Sequence, residues 1–211
     1  MSKLHFKLLN KNQVKALEVL KNLSSYGILG GGTASMVQIA HRKSYDLDVF
    51  LPKLISKKFL YKVKQYFKKI EIITDTGDEL SLVSIPHKVK ISFIYYPFPP
   101  LYKTIPTSYL EFFNWRDIGL DKAHTIGRRG EWRDYVDLYF IIKNGFSLKN
   151  IIKGAQKKFG DSFSEKLFLS QLVYFGDLQD FTVDFIAKKY SNEEVKSFLE
   201  KEVRKHKEEI V

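Results

Sequence analysis

The chain has 211 residues, 35 of them Lys or Arg and 24 Asp or Glu, which leaves a formal net charge of +11. A hydrophobic content of 44% with 15% aromatics is enough to bury a core and excludes a disordered chain. The lack of cysteine excludes a disulfide framework, a thiolate zinc site and a cysteine nucleophile. No window approaches 18 consecutive apolar residues, so no membrane-spanning helix and no membrane partner is expected. The N-terminal Met1-Ser2-Lys3-Leu4-His5-Phe6-Lys7 lacks an apolar signal core, and a cytoplasmic protein is the expectation. The positive balance favours a polyanion partner, although Lys-rich surfaces also arise without one.

Along the chain, Val14, Leu17, Val19, Leu20 and Leu23 predict an amphipathic helix over 12–23. Residues 26–29 run into Gly30-Gly31-Gly32, and a helix over 33–40 follows with Thr33 as its N-cap. Residues 45–51 alternate and read as a strand. Phe59, Leu60, Val63 and Phe67 place a helix over 56–67. Three strands are predicted over 70–74, 79–85 and 88–96, the first two joined by a turn at Thr76-Gly77-Asp78-Glu79. Pro97, Pro99, Pro100 and Pro106 then interrupt any regular element. From Asp117 onward the pattern is helical, with segments over 147–158, 164–175, 180–190 and 192–209. The expected organisation is an α/β domain over 1–110 and a helical bundle over 111–211.

The sharpest constellation is Gly31-Gly32-Thr33 followed, after twelve intervening residues, by Asp46-Leu47-Asp48. Strand alternation puts Asp46 and Asp48 on one face, where two carboxylates repel unless a cation sits between them. Hard oxygen ligands suit Mg²⁺, which binds one or two carboxylates together with substrate phosphates and waters. A Gly-Gly-Thr turn opening a helix lets backbone amides approach a phosphate, and Thr33 adds a hydroxyl donor. These are the parts needed for phosphoryl or nucleotidyl transfer. The Gly-Lys-Ser/Thr of a P-loop is missing, and Ser35 stands where a dinucleotide fingerprint wants its third glycine.

The run Leu29-Gly-Gly-Gly-Thr33, then His41-Arg42-Lys43-Ser44-Tyr45-Asp46-Leu47-Asp48-Val49-Phe50, resembles the signature of polymerase β-type nucleotidyltransferases. More narrowly it resembles the AbiEii/AbiGii toxin family. The likeness extends through Asp117-Ile118, Lys122-Ala123 and Arg128-Arg129-Gly130 to Arg133-Asp134-Tyr135-Val136-Asp137-Leu138-Tyr139. It implies an α+β fold, a small mixed sheet flanked by helices and followed by a helical bundle that contributes to the active-site cleft. It also implies an NTP substrate, Mg²⁺ on Asp46 and Asp48, an acceptor hydroxyl such as the 3′ end of tRNA, and a separately encoded antitoxin.

Residues 131–143 stand out independently. Arg133, Asp134 and Asp137 share about a third of a helical wheel in a segment otherwise large and apolar. The pattern reads either as an internal ion pair, Arg133 with Asp137, or as a polar stripe lining a groove. Lys122, His124, Arg128 and Arg129 are candidate partners. The resemblance implies that Lys122 neutralises triphosphate charge and that Asp134 or Asp137 orients it or the attacking hydroxyl. It implies phosphate contacts for Arg42, Ser44, Arg128, Arg129 and Arg133.

One departure concerns the third carboxylate usual in the superfamily: the candidate position holds Ser92. That favours, as a rival, a non-catalytic nucleotide- or RNA-binding module; a second rival is an enzyme on the same scaffold that attaches AMP or UMP to protein, since the sequence does not distinguish protein from RNA acceptors. The five histidines show no metal-ligand spacing. Tyr95, Tyr96, Phe98, Tyr102 and Tyr109 are read as junction packing in preference to a stacking platform. The tail over 196–209 reads as a solvated helix face.

Overall fold

Strand alternation decides which face of the sheet is dry. In a computed structural model describing residues 4–128 and 130–209, β1 (Ile28–Gly30), β2 (Leu47–Leu51), β3 (Ile70–Asp75), β4 (Glu79–Ser84) and β5 (Val89–Tyr95) form one sheet of order β1-β2-β5-β4-β3. Only β2 and β5 are parallel, so the sheet is mixed. Leu47, Val49, Leu80, Leu82, Ile91 and Phe93 line up across three strands and are all buried. Each such side chain contributes roughly 1.5–3 kcal/mol by leaving water. Two amphipathic helices accompany this face: α1 (Lys11–Leu20) lies against β5, and Phe59 of α3 (Lys57–Phe67) packs edge-on to Phe93 at 5.0 Å.

The chain folds as two compact units, Met1–Asn114 and Trp115–Val211. The first holds the sheet, α1, α2 (Gly31–Ile39) and α3. The second is built from α4 (Trp115–Ile126), α5 (Trp132–Lys143), α6 (Leu148–Phe159), α7 (Glu165–Leu172) and α8 (Asn192–Glu208), with α4 against α5, α6 and α7. Serines start several helices as expected of N-caps: the Oγ atoms of Ser56, Ser147, Ser164 and Ser191 accept backbone N–H bonds from the first turns of α3, α6, α7 and α8. Among the described residues no helix is long and apolar enough to cross a membrane.

Three expectations need correction. The helix over 12–23 is α only through Leu20 and tightens to a 3-10 turn over Lys21–Leu23. The strand over 45–51 begins two residues later, at Leu47, because side chains take the carbonyls ahead of it: Gln13 Nε2 donates to Ser44 O and Tyr45 O, and Thr33 Oγ1 to Asp46 O. The segment over 180–190 is not helical. Thr182 N donates to Asp180 Oδ1, a local bond that competes with a helix. Phe181 packs on Trp132 and Phe185 on Tyr190, with exposed residues alternating between them, as in an extended strap.

The helical unit carries a buried ion network. Lys158 Nζ lies 3.1 Å from Asp117 Oδ1 and 2.7 Å from Asp121 Oδ1, and the Lys158 and Asp117 side chains are fully buried. Removing the cation takes its ammonium partner from a fully buried carboxylate, so Lys158→Met is expected to destabilise the protein by about 3–5 kcal/mol in denaturant unfolding. His124 of α4 stacks on Phe159 at 4.2 Å and donates Nε2–H to Ser162 O. Burial, then the Arg128 charge, holds its pKa below the ordinary 6.5. The unfolded chain therefore binds the proton first, and stability falls as pH drops through 6.5 toward the lower folded pKa. His124→Gln is expected to flatten that part of the melting-temperature profile without changing its alkaline side.

Candidate active site

The glycine turn and the carboxylate strand meet because β1 and β2 are antiparallel neighbours. Gly30 is paired with Asp48, and Asp48 with Ser92 of β5, so one row crosses the sheet from the glycine turn to Ser92. Helix α2 starts at once after Gly30, whose position as N-cap supplies no side-chain acceptor. Its first-turn amides are thus not satisfied by a capping side chain, and with the helix dipole they favour an anion. Gly31 takes a positive φ of 62°, and a Cβ there would run into Asp48 Oδ2. Around Gly32, a Cβ would sit 2.7 Å from Ser44 Oγ and 2.9 Å from Arg42 Nη2. Glycine at both places lets a carboxylate, a hydroxyl and a guanidinium converge on the first turn of α2.

Arg42 is buried, with Nη1 donating to Lys43 O at 3.1 Å, so its guanidinium is held in place beside Gly32. Thr33 is inside α2 and not its cap, since the helix begins two residues earlier. Its hydroxyl donates to Asp46 O at 2.5 Å, so its single proton is committed to the carboxylate segment and not offered to a phosphate. Gln13 reinforces the same segment. Its Oε1 accepts from Asn10 N while its Nε2 reaches Ser44 O and Tyr45 O, which ties the start of α1 to the Asp46 backbone. Asp46 and Asp48 are each half-buried. Among the described residues no three His, Cys, Asp or Glu side chains gather into a metal cage. Asp46 and Asp48 are the carboxylates here that could hold an ion completing its shell with substrate phosphates and water, as Mg²⁺ does.

The second constellation lies wholly in the helical unit. Lys122 of α4 bridges two carboxylates of α5, in contact with Asp134 Oδ1 and 3.1 Å from Asp137 Oδ2. Asp134 also caps its own helix, Oδ2 accepting from Glu131 N at 3.1 Å. Both aspartates are buried and Lys122 is only 15% exposed. Arg133 departs from the expected stripe and from the expected pair with Asp137: it is exposed and bonds Glu131 Oε2 at 3.1 Å. The reason is angular, because Lys122 approaches the side of α5 that carries positions 134 and 137. Arg128 is exposed and donates to Ser162 O, and Arg129 lies outside the described residues. Sequence reasoning missed Lys158 as a partner of Asp117 and Asp121. The i, i+4 spacing of those carboxylates on α4 was the available signal.

The aromatic cluster near the prolines is packed ring on ring in the first unit. Phe50 meets Tyr96 at 5.0 Å and Phe113 at 5.6 Å, and Tyr96 meets Phe98 at 5.4 Å. These rings and Tyr26 line a cavity of about 300 Å³. Phe50 comes two residues after Asp48 on the same strand face, a link that spacing in the 95–109 region did not reveal.

Comparison with known proteins places these parts in one lineage. Residues 17–209 match the nucleotidyl transferase AbiEii toxin family, described as a type IV toxin–antitoxin system. An uncharacterized protein of Aquifex aeolicus, aq_aa25, is 30% identical over 208 residues, covering 95% of this chain and 98% of its own. In fold the chain is similar to MenT4, a nucleotidyltransferase toxin of Mycobacterium tuberculosis. The TM-score there is 0.63 and the identity 15%, over 91% of this chain and 81% of that one. It is also similar to a candidate nucleotidyltransferase of H. pylori, with a TM-score of 0.57 and 20% identity over 95% and 96% of the two chains. A five-stranded mixed sheet with a glycine turn beside an Asp-x-Asp strand, matched nearly end to end, leaves one assignment: this chain belongs to the AbiEii nucleotidyltransferase toxin family and is a nucleotidyltransferase.

Proposed function

We propose that this enzyme transfers a nucleoside monophosphate from an NTP to an acceptor hydroxyl, with the 3′ end of a tRNA as acceptor and pyrophosphate as leaving group. The observation that carries the reading is the fit of the Asp48 carboxylate into the space that a side chain at Gly31 would occupy. It sets an acidic oxygen directly beside helix amides suited to phosphate. In this reading the amides of Gly31 and Gly32 cradle the phosphates, with the Arg42 guanidinium and the Ser44 hydroxyl adding charge and a donor. Thr33 acts as a positioning residue, holding the backbone at Asp46. Asp46 and Asp48 hold Mg²⁺, which when bound neutralises charge developing on the phosphates.

Lys122 is proposed to balance charge on the departing pyrophosphate, with Asp134 and Asp137 fixing its ammonium group. The exposed Arg128 and Arg133 are proposed to attract the phosphates of an RNA acceptor, consistent with the net charge of +11. An antitoxin is the expected partner that restrains the activity.

The test is incubation of the protein with each labelled NTP in turn, Mg²⁺ and total tRNA or cell lysate. Label in an RNA band supports the proposal, and label in a protein band replaces RNA by a protein acceptor. Nucleotide binding without transfer overturns it in favour of a binding module. Asp48→Asn and Gly31→Ala are each expected to reduce transfer by roughly 10²–10³-fold or more, the scale of losing a preorganised charge contact. Gly31→Ala does so because the added methyl must displace the carboxylate. Lys122→Met is expected to weaken NTP binding measured by titration and to slow transfer. Asp137→Asn is expected to do so less, since Asp134 still holds the ammonium group.

A further inference from the structure

The row that begins at Gly30 does not end at Ser92. Ser92 is paired with Ser81 of β4, and Glu79, two residues before Ser81, projects from the same face. Ser81 Oγ lies 2.9 Å from Ser92 Oγ and 2.5 Å from Glu79 Oε1, and both serines are almost fully buried, at 1% and 5% exposure. A hydroxyl carries one proton and an ionised carboxylate none. Ser81 must therefore donate to Glu79 and accept from Ser92. The Ser92 oxygen, its own proton turned toward Ser81, is left as an acceptor next in register to Asp48. A carboxylate is thus absent from the strand position beside Asp48 but is present two hydroxyls away.

We propose that Ser92, Ser81 and Glu79 form a proton relay that serves as the general base of nucleotidyl transfer. The inference rests on the transfer reaction proposed above. As the acceptor oxygen forms its bond to the α-phosphorus, the bond from that phosphorus to the bridging oxygen of pyrophosphate breaks. The acceptor's proton passes to Ser92 Oγ, the proton of Ser92 to Ser81 Oγ, and that of Ser81 to Glu79 Oε1. Each serine ends with one proton, and Glu79 ends neutral until solvent recovers the proton from its half-buried carboxyl. Glu79 never touches substrate and acts only through the two serines. The arrangement explains how a chain with Ser92 where a third carboxylate is usual retains a base, and why two hydroxyls are buried side by side on the sheet face opposite Leu80, Leu82 and Ile91.

The experiment is single-turnover transfer with the full chain, Mg²⁺, labelled NTP already bound and total tRNA as the acceptor probe. The wild type is compared with Glu79→Gln, Ser81→Ala, Ser81→Thr and Asp48→Asn, each first checked for an unchanged melting transition. Glu79→Gln and Ser81→Ala are expected to slow transfer by ~10²-fold, the usual worth of general-base catalysis, while NTP affinity measured by titration stays the same. Ser81→Thr, which keeps the hydroxyl, is expected to recover most of the rate. In mixtures of H₂O and D₂O the wild-type rate should bend with deuterium fraction, as several protons move together, and the Glu79→Gln rate should follow a straight line. A loss that appears in NTP affinity alone would mark the trio as structural. Wild-type rates in Glu79→Gln, with Asp48→Asn inactive, overturn the relay and leave the transferase reading intact. A wild type that transfers no label from any NTP overturns both.

Discussion

A single close approach organises the first unit: the Asp48 carboxylate rests where a side chain at position 31 would have to be. For that to happen, β1 must run antiparallel to β2 with Gly30 opposite Asp48, and the chain must turn from strand to helix through a positive φ. Any side chain there would push apart the helix terminus and the carboxylate. The remaining contacts protect this geometry. Gln13 and Thr33 hold the backbone of 44–46 by its carbonyls, and the dry face of Leu47, Val49, Ile91 and Phe93 prevents β2 from slipping by one residue. Such a slip would turn Asp48 into the core.

The helical unit solves a different electrostatic problem with the same device, a lysine set between two carboxylates on one neighbouring helix. Lys158, its own side chain sealed from solvent, satisfies buried Asp117 and partly exposed Asp121, whereas Lys122 satisfies Asp134 and Asp137 while itself retaining some exposure. The difference in exposure separates their roles. A cation sealed from solvent specifies how α6 packs on α4, because buried charges demand their partners. A cation still reached by solvent can also be reached by a phosphate. The buried tyrosine of α5 shows how dry the neighbourhood is: burial raises the Tyr135 pKa, and its hydroxyl donates to Gln171 O.

The charge of +11 now divides into parts with different physics. Arg42, Lys122 and Lys158 are buried or nearly so and held by oxygen partners, and they contribute to local geometry. Exposed cations such as Arg128 and Arg133 add to the long-range positive field of the surface. Composition counts all of these alike, although only the second kind is strongly screened by salt.

Much was readable directly from neighbouring residues. The period-2 and helical patterns marked four of the five strands and most of the helices. Gly31-Gly32 and Asp46-Leu47-Asp48 stand close enough in sequence to announce their chemistry together. The failures share one cause. The Thr33–Asp46 bond spans 13 residues, the Ser81–Ser92 bond 11 and the Lys158–Asp117 pair 41, and each depends on a register or a packing angle that no local window contains. Residues 180–190 have helical spacing but are drawn straight by aromatic partners on α5 and by an aspartate–threonine bond. Local sequence thus determined the elements and the type of chemistry, because propensity and periodicity act between near neighbours. Tertiary structure decided which hydroxyls and carboxylates stand side by side, because strand pairing brings Ser81, Ser92 and Asp48 into one row, with Glu79 two residues from Ser81 on the same face.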